Sequence, residues 1–515
     1  MLLRRGLPLC RARPLIRSLS STVRASHNRF HDRRDTEFVL HELEGLPRDG
    51  DSAAIIDSCE AFVAAWHHVD PLLDRSPPEL VPSTAPGGRN TVSSHPEMKR
   101  LMQAFREQGF AEIAELGLPF AVQMSATATL CSAFTSNPLG LFVLTRCAAD
   151  LLEAHGSREL KEQYLGKMRS AEWHGTMALS EPHAGSSLAT IRTTATPVEG
   201  AAAAGEYRIR GDKMWTTGAF HDLSDNIIHM LLARTVGAPS GAAGISLFLV
   251  PNVLPDGSAN DVELVSLNKK MGHHAITNCA WSLGERSGGA VGYLVGPEHG
   301  GLGCMVRRAR ALPMHKTRST EPSPTPTLLR ACAAQLHMMN AMRIEVGMGA
   351  TLVGRRGLLE SLLYAQEREQ GGRQIIDHDD VKRMLLQQKA YVEGSHALCI
   401  AAAALHDRSC AGDREARALL EVQTEIVKSW PSEWCLEANK LAIQVMGGDL
   451  PWSPLLPPDL PWISGDGRRG LRPGLPSRAT VPRQQAEHDS RGHRRHSRQD
   501  SAGPQSAGRP SGHPF

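Results

Sequence analysis

"MALSEPHAGSSL", residues 177–188, is the stretch on which the reading of this chain turns. A short apolar run delivers Ser180 into a turn made by Pro182 and Gly185, where main-chain N–H groups and hydroxyls can face outward. That arrangement suits hydrogen bonding to the polar rim of a heteroaromatic ring or to a phosphate. On spacing alone it serves equally well as a structural turn. Some thirty residues on, "GDKMWTTGA" (residues 211–219) sets an aromatic ring before two hydroxyls on a strand. Trp215 taken alone is more often a core residue than the wall of a cofactor site.

Around these two stretches the hydrophobic period changes twice. Residues 35–175 read as helical: "DSAAIIDSCEAFVAAW" and "HPEMKRLMQAFREQGFAEIAEL" place apolar residues three and four apart, and an apolar helix pair breaks at Asn137-Pro138. Residues 176–300 are short apolar or alternating runs between Gly, Pro, Asn and Asp, the pattern of a compact β domain. Residues 301–450 hold three long amphipathic segments, the pattern of a helix bundle. The expected fold is α+β multidomain, with an all-α N-terminal domain, a β middle domain and a C-terminal bundle. Residues 306–335 interrupt a helix entry and read as a disordered insertion, and residues 451–515 read as a disordered Pro/Gly/Arg-rich tail.

The chain has 515 residues, 41% hydrophobic and 22% charged, with a net charge of +3. That is globular composition, and the near-neutral middle offers no footprint for nucleic acid. Residues 1–30 carry seven arginines and no acid, the composition of an organelle transit peptide, which implies a mitochondrial matrix location. No apolar run is long enough to span a membrane. The ten cysteines are scattered, without Cys-x-x-Cys or Cys/His ligand spacing, so they read as reduced, mostly buried thiols and no metal site is expected.

In their order and sequence the two stretches resemble the acyl-CoA dehydrogenase family, whose motifs have the form [L/V]-[S/T]-E-P-x-A-G-S and K-x-W-x-[S/T]. The resemblance runs on through "KKMGHHAITNC", "HMMNAMRIEVGMGA", "YAQEREQG" and "QVMGG", covers residues 37–448, and is nearest to the methylthiopropanoyl-CoA dehydrogenase-like branch. It implies FAD as cofactor and an acyl-CoA thioester as substrate. The backbone at Met177 and Leu179 and the Ser180 hydroxyl would bond the flavin ring, which Trp215 would shield and Thr217 would bond. Arg368, Gln444, Gly447 and Gly448 would hold the ADP part of FAD from a neighbouring subunit, implying a homo-oligomer. Ser186 would lie near the CoA portion, and Arg343 corresponds to the family's active-site helix arginine. Electrons would pass to an electron-transferring flavoprotein. The bland alternatives are surface ion pairs for the two arginines and a helix C-cap for Gly447-Gly448. Other readings are an oxidase-like relative, or a non-catalytic flavin- or DNA-associated one.

The resemblance also implies a catalytic carboxylate, supplied in that branch by a His-Glu-Gly-Thr motif after the Gly-Gly turn. No such motif occurs in the chain, so the catalytic base is unknown. Codons compatible with residues 490–494, "SRGHR", can be TCA CGA GGG CAC CGC; read one nucleotide later they give His-Glu-Gly-Thr and the start of an alanine codon. More than thirty neighbouring positions pass the same test against the family's closing segment. Residues 306–335 can begin in GT and end in CAG, and their removal joins "GCM" to "LHMMNAMRI". The expectation is a transcript with two retained introns, the second of which shifts the frame of the tail.

Overall fold

The computed structural model describes residues 33–46, 50–85, 88–200, 205–306 and 326–447. The proposed transit peptide at residues 1–30, Gly448 and the tail at residues 451–515 lie outside these.

The N-terminal region is built on four principal helices: α1 (Gly50–Trp66), α2 (Pro96–Glu107), α3 (Phe120–Cys131) and α4 (Gly140–His155). In α2, proline stands in the first turn, the His95 ring caps the Glu97 amide, and Met98, Leu101, Met102 and Phe105 form one buried stripe. Helix α3 is apolar on nearly every side and lies inside the domain, with ten of its residues buried. Its first amides are capped from far away in sequence: the Asp407 carboxylate accepts from Phe120 N at 2.7 Å and Ala121 N at 3.0 Å. Asp70 fixes the loop between α3 and α4, accepting from Thr135 N at 3.0 Å, Thr135 Oγ1 at 2.8 Å and Ser136 N at 2.9 Å. One correction to the all-α expectation is needed. Within residues 76–95 two short strands, β1 (Glu79–Val81) and β2 (Thr91–Ser93), pair antiparallel. Three-residue strands are too short for alternation to declare them in the sequence.

The middle domain is one eight-stranded sheet of β3 (His174–Ala178), β4 (Thr194–Pro197), β5 (Glu206–Thr217), β6 (Ile227–Thr235), β7 (Ile245–Pro251), β8 (Val262–Leu267), β9 (Asn278–Leu283) and β10 (Ala290–Val295). The ladder runs β10-β7-β6-β4-β5-β9-β8, β3 adds parallel to β6, and β10 also pairs with the first half of β5. That second pairing closes part of the sheet on itself. The second half of β5 pairs with β9 instead, leaving its end beside the end of β3. Strands β6 and β7 are buried on both faces, which is why they read as continuous apolar runs rather than alternating ones.

The C-terminal bundle contains α5 (Pro326–Glu367), α6 (Asp379–Cys410) and α7 (Arg414–Val445). Helix α5 begins inside the segment expected to be a disordered insertion, so residues 326–335 are helical; residues 307–325 lie outside the described ones. The composition of the inserted stretch hides a helix-competent end, "PTLLRACAAQ". Pro431 sits inside α7 and cannot donate to the carbonyl one turn back, that of Val427. Gly347 of α5 lies against that carbonyl so closely that a Cβ there would stand 2.0 Å from it. Gly354 meets Cys435 in the same way, so the two helices approach through missing side chains.

Candidate functional site

The alternation of β5 turns Tyr207, Ile209 and Lys213 to the buried side. A lysine on an apolar face requires a partner, and Lys213 finds three. Its ammonium donates to Glu181 Oε1 at 2.9 Å, Leu232 O at 2.8 Å and Leu179 O at 3.3 Å. Glu181 also accepts from Arg192 N at 2.6 Å, Thr193 N at 3.1 Å and Thr193 Oγ1 at 2.6 Å. Burial works against ionisation of Glu181, but the Lys213 charge and these hydrogen bonds hold its carboxyl below the usual range. Burial lowers Lys213 to about 8, with Glu181 acting in the opposite sense. The pair staples the turn after β3 to the middle of β5.

Two residues beyond Lys213 the strand bulges. The register with β9 shifts between Lys213 and Thr216, and Trp215 takes the left-handed conformation with φ of 60°. Its ring is 59% exposed, although a tryptophan in a strand is expected to pack inward. A strained backbone that presents a large aromatic surface to solvent is a mark of a binding site. Ser180 is its close neighbour, because Met214 N donates to Ser180 O at 3.0 Å. Thr216 turns inward and accepts from Trp281 Nε1 at 3.0 Å. Thr217 turns the other way, its hydroxyl accepting from Asn278 Nδ2 at 3.2 Å and its carbonyl accepting from Thr176 Oγ1 at 2.5 Å. Met177, Leu179, Ser180, Trp215 and Thr217 are thus brought together at the joined ends of β3 and β5. An exposed aromatic residue with hydroxyl-bearing residues near it in the strand ends fits a flat heteroaromatic ring with a polar rim.

Ser186 is exposed on the continuing loop. That loop ends in a single helical turn, Leu188–Thr190, whose shape is fixed by Arg234. The guanidinium donates to Ala189 O, Ile191 O, Pro239 O and Gly241 O, at 2.5, 3.0, 3.1 and 2.6 Å. Arg343 stands on α5 in an ion pair with Glu425 of α7 at 3.0 Å. Its neighbour Met342 packs against the apolar cluster on which Met177 and Leu179 also rest, and Arg343 itself makes no hydrogen bond or ion pair with the Trp215 site among the described residues. Arg368, Gln444 and Gly447 form a separate group. Arg368 is exposed just past α5, and Gln444 and Gly447 are exposed at the end of α7. Ala365, Ile375 and Val445 share one apolar cluster, which places all three at one end of the bundle. Gly447 has φ of 66° and its N–H returns to Gln444 O at 3.1 Å, a left-handed helix cap. Among the described residues no hydrogen bond or ion pair joins this group to the Trp215 site.

Glu181, Lys213, Arg234 and Asn278 were not singled out by motif reasoning. For Lys213 the signal was available: a cation at an inward-facing position of an alternating strand. Near the site lie two buried imidazoles, His174 and His229, and a half-buried one, His221. Burial lowers His221 and His229 to about 4 and His174 well below its ordinary value. No cluster of metal-ligating side chains occurs among the described residues, and no described helix is long and apolar enough to cross a membrane.

Two family models match: the acyl-CoA dehydrogenase middle domain over residues 176–284 and the acyl-CoA dehydrogenase C-terminal domain over residues 332–450. The first takes in the whole Trp215 site, and the second the Arg368 and Gln444 group. These two regions of the chain belong to the acyl-CoA dehydrogenase family. Its members are flavoproteins, which agrees with the exposed indole and flanking hydroxyls described above. Among relatives, the 3-methylmercaptopropionyl-CoA dehydrogenase of Ruegeria pomeroyi is 36% identical over 357 residues, covering 66% of this chain and 54% of the relative. A butyryl-CoA dehydrogenase of Syntrophomonas wolfei is 31% identical over 59% of this chain and 48% of the relative. The chain therefore spans about half the length of the curated relatives it matches. The fold is shared with Caenorhabditis elegans ACDH-11 solved with C11-CoA, at a TM-score of 0.65 and 19% identity over 83% of this chain and 68% of that one. It is shared also with butyryl-CoA dehydrogenase of Megasphaera elsdenii, at 0.58 and 17% over 78% and 89%.

Proposed function

We propose that the chain represents an FAD-dependent acyl-CoA dehydrogenase that oxidises the α,β bond of an acyl-CoA thioester. The observation that carries this reading is Trp215, exposed at a strained bulge whose strand is tied to Ser180 through Met214 N and to Thr217 through Asn278. When bound, FAD would supply the acceptor for the β hydrogen. The part of this chain is to hold and orient. Trp215 would cover one side of the ring, Thr217 and Ser180 would meet its polar rim, and Ser186 would meet the CoA portion of the substrate. The loop carrying Ser186 is already shaped by Arg234, so little ordering would be required on binding.

Arg368, Gln444 and Gly447, with Gly448, would hold the ADP part of FAD bound mainly by a second copy. The exposure of Arg368, Gln444 and Gly447 at the bundle end supports this, as do outward-facing apolar side chains elsewhere on the bundle, Leu386 of α6 at 66% and Val422 of α7 at 64% exposed. A groove of about 430 Å³ between α5 and α6, floored by Leu358, Leu362, Leu385 and Leu386, offers such a copy an apolar seat. Electrons would leave to an electron-transferring flavoprotein, and the arginine-rich start would direct the protein to the mitochondrial matrix.

The proton-abstracting carboxylate is the missing part. The chain as written contains no His-Glu-Gly-Thr motif, and we read residues 449–515 as a retained intron followed by the catalytic segment in a shifted frame. Two chains test this together: the 515-residue form and a form whose tail is replaced by the shifted reading. Turnover of an acyl-CoA with an artificial electron acceptor is expected only from the second. Normal turnover by the first, or transcripts in which both segments are retained in the dominant product, would overturn it.

A further inference from the structure

We propose that Asn278 sets the polarity of the Thr217 hydroxyl, making it an obligatory hydrogen-bond donor toward the bound flavin ring. The inference rests on the flavin reading above and adds a positioning residue that acts through Thr217.

Asn278 opens β9 directly opposite Thr217 in the ladder. Its side-chain amide has three partners. Nδ2 donates to the Trp215 carbonyl at 3.3 Å and to Thr217 Oγ1 at 3.2 Å, while Oδ1 accepts from Asn268 Nδ2 at 2.8 Å. The orientation of an asparagine amide must be deduced from its neighbours. Here the Trp215 carbonyl decides it, since a carbonyl can only accept and an amide oxygen turned toward it would be repelled. Asn268 holds the other end, and its backbone N–H also bonds the Asn278 carbonyl, at 2.7 Å.

The consequence falls on Thr217. A hydroxyl has one proton and two lone pairs, and with Asn278 donating to one lone pair the proton must point elsewhere. Among the described residues no acceptor is bonded to it. The proton is therefore left available to an acceptor from outside the described residues. The same amide grips the carbonyl of Trp215, whose backbone is in the left-handed region. One side chain thus orients the donor and steadies the strained residue beside it. An acceptor atom on the ring's rim is favoured and an N–H there is disfavoured, because a hydroxyl already accepting from Asn278 has less to offer a second donor.

The test is a double-mutant cycle read by FAD titration of the purified full chain, followed by flavin fluorescence and absorbance. Asn278→Asp supplies only acceptors, so the Thr217 proton turns back to it. FAD affinity is expected to fall about tenfold, the loss of one neutral hydrogen bond. In a Thr217→Val background, where there is no hydroxyl to reverse, the same change keeps only the added charge and the lost grip on Trp215, so the loss should be smaller by at least about threefold, and the difference isolates the hydroxyl. Asn278→Leu carries the test if the aspartate variant does not fold. It frees the hydroxyl without reversing it and should weaken binding about threefold, again by less when the Thr217 hydroxyl is absent. Equal losses with and without the hydroxyl, or no loss, would show that Asn278 is merely structural and overturn the inference. A wild-type chain that binds no FAD at all would remove the flavin reading and this inference with it.

Discussion

The Lys213 ammonium lies 2.9 Å from the Glu181 carboxylate, and both side chains are almost wholly enclosed, at 0% and 2% exposure. The pair joins the turn that carries Ser180 to the strand that carries Trp215, so the two halves of the candidate site move as one. Breaking a buried pair from one side leaves an uncompensated charge, typically at a cost of about 3–5 kcal/mol. Lys213→Met and Glu181→Gln are each expected to lose about that much in urea unfolding. The double variant should lose clearly less than the sum, because it buries no orphan charge.

Trp215 stores backbone strain. Replacing it with glycine removes the steric penalty of φ near 60° and an exposed apolar ring. Trp215→Gly is expected to leave thermal stability unchanged or raise it by about 1 kcal/mol, after allowance for the entropy of glycine. At the same time it should abolish the quenching of bound flavin. A large loss of stability would show that the ring is a structural element after all.

Much of this was legible in the sequence, and the parts that were not share a cause. The change of period from helical to alternating and back located the three regions, because each buries one face over many residues. "MALSEPHAGSSL" and "GDKMWTTGA" hold residues that the structure brings together at the ends of β3 and β5. The bulge at Trp215 was not readable, since it depends on how β5 and β9 slip between Lys213 and Thr216. Nor was the link from Asp407 to Phe120, or from Asn278 to Thr217, because such hydrogen bonds join residues far apart in sequence. Helix α5 reaching back to Pro326 shows the opposite error: a stretch judged by its Pro-rich beginning has a helical end.

Asp407 holds the N-terminus of α3 from within α6, tying the bundle to the N-terminal domain. Asp407→Ala removes both acceptors from amides of a partly buried helix end. A loss of about 1–3 kcal/mol is expected. Proteolysis should become faster near residues 117–120, where the helix would fray, and an unchanged cleavage pattern would contradict this role.

The imidazoles near the site make stability depend on acid. Burial lowers His221 and His229 from 6.5 to about 4, so both are neutral in the folded protein at pH 7. Between about pH 6.5 and pH 4 the unfolded chain binds protons that the folded chain refuses. Stability therefore falls as pH falls through that window. The loss is on the order of 3 kcal/mol for each of these two imidazoles across the whole window. His229→Gln should flatten the dependence measured by thermal melts from pH 7 to 4.5, and an equally steep profile would exclude His229 as a contributor.

Titration of the purified chain with FAD, followed in the visible spectrum, tests most directly whether the Trp215 site is a flavin site. Saturable binding is expected, with a structured flavin absorption band and quenched fluorescence in the wild-type chain, and with the quenching lost in Trp215→Gly. A folded chain whose added FAD keeps the spectrum and fluorescence of the free cofactor would contradict the central claim.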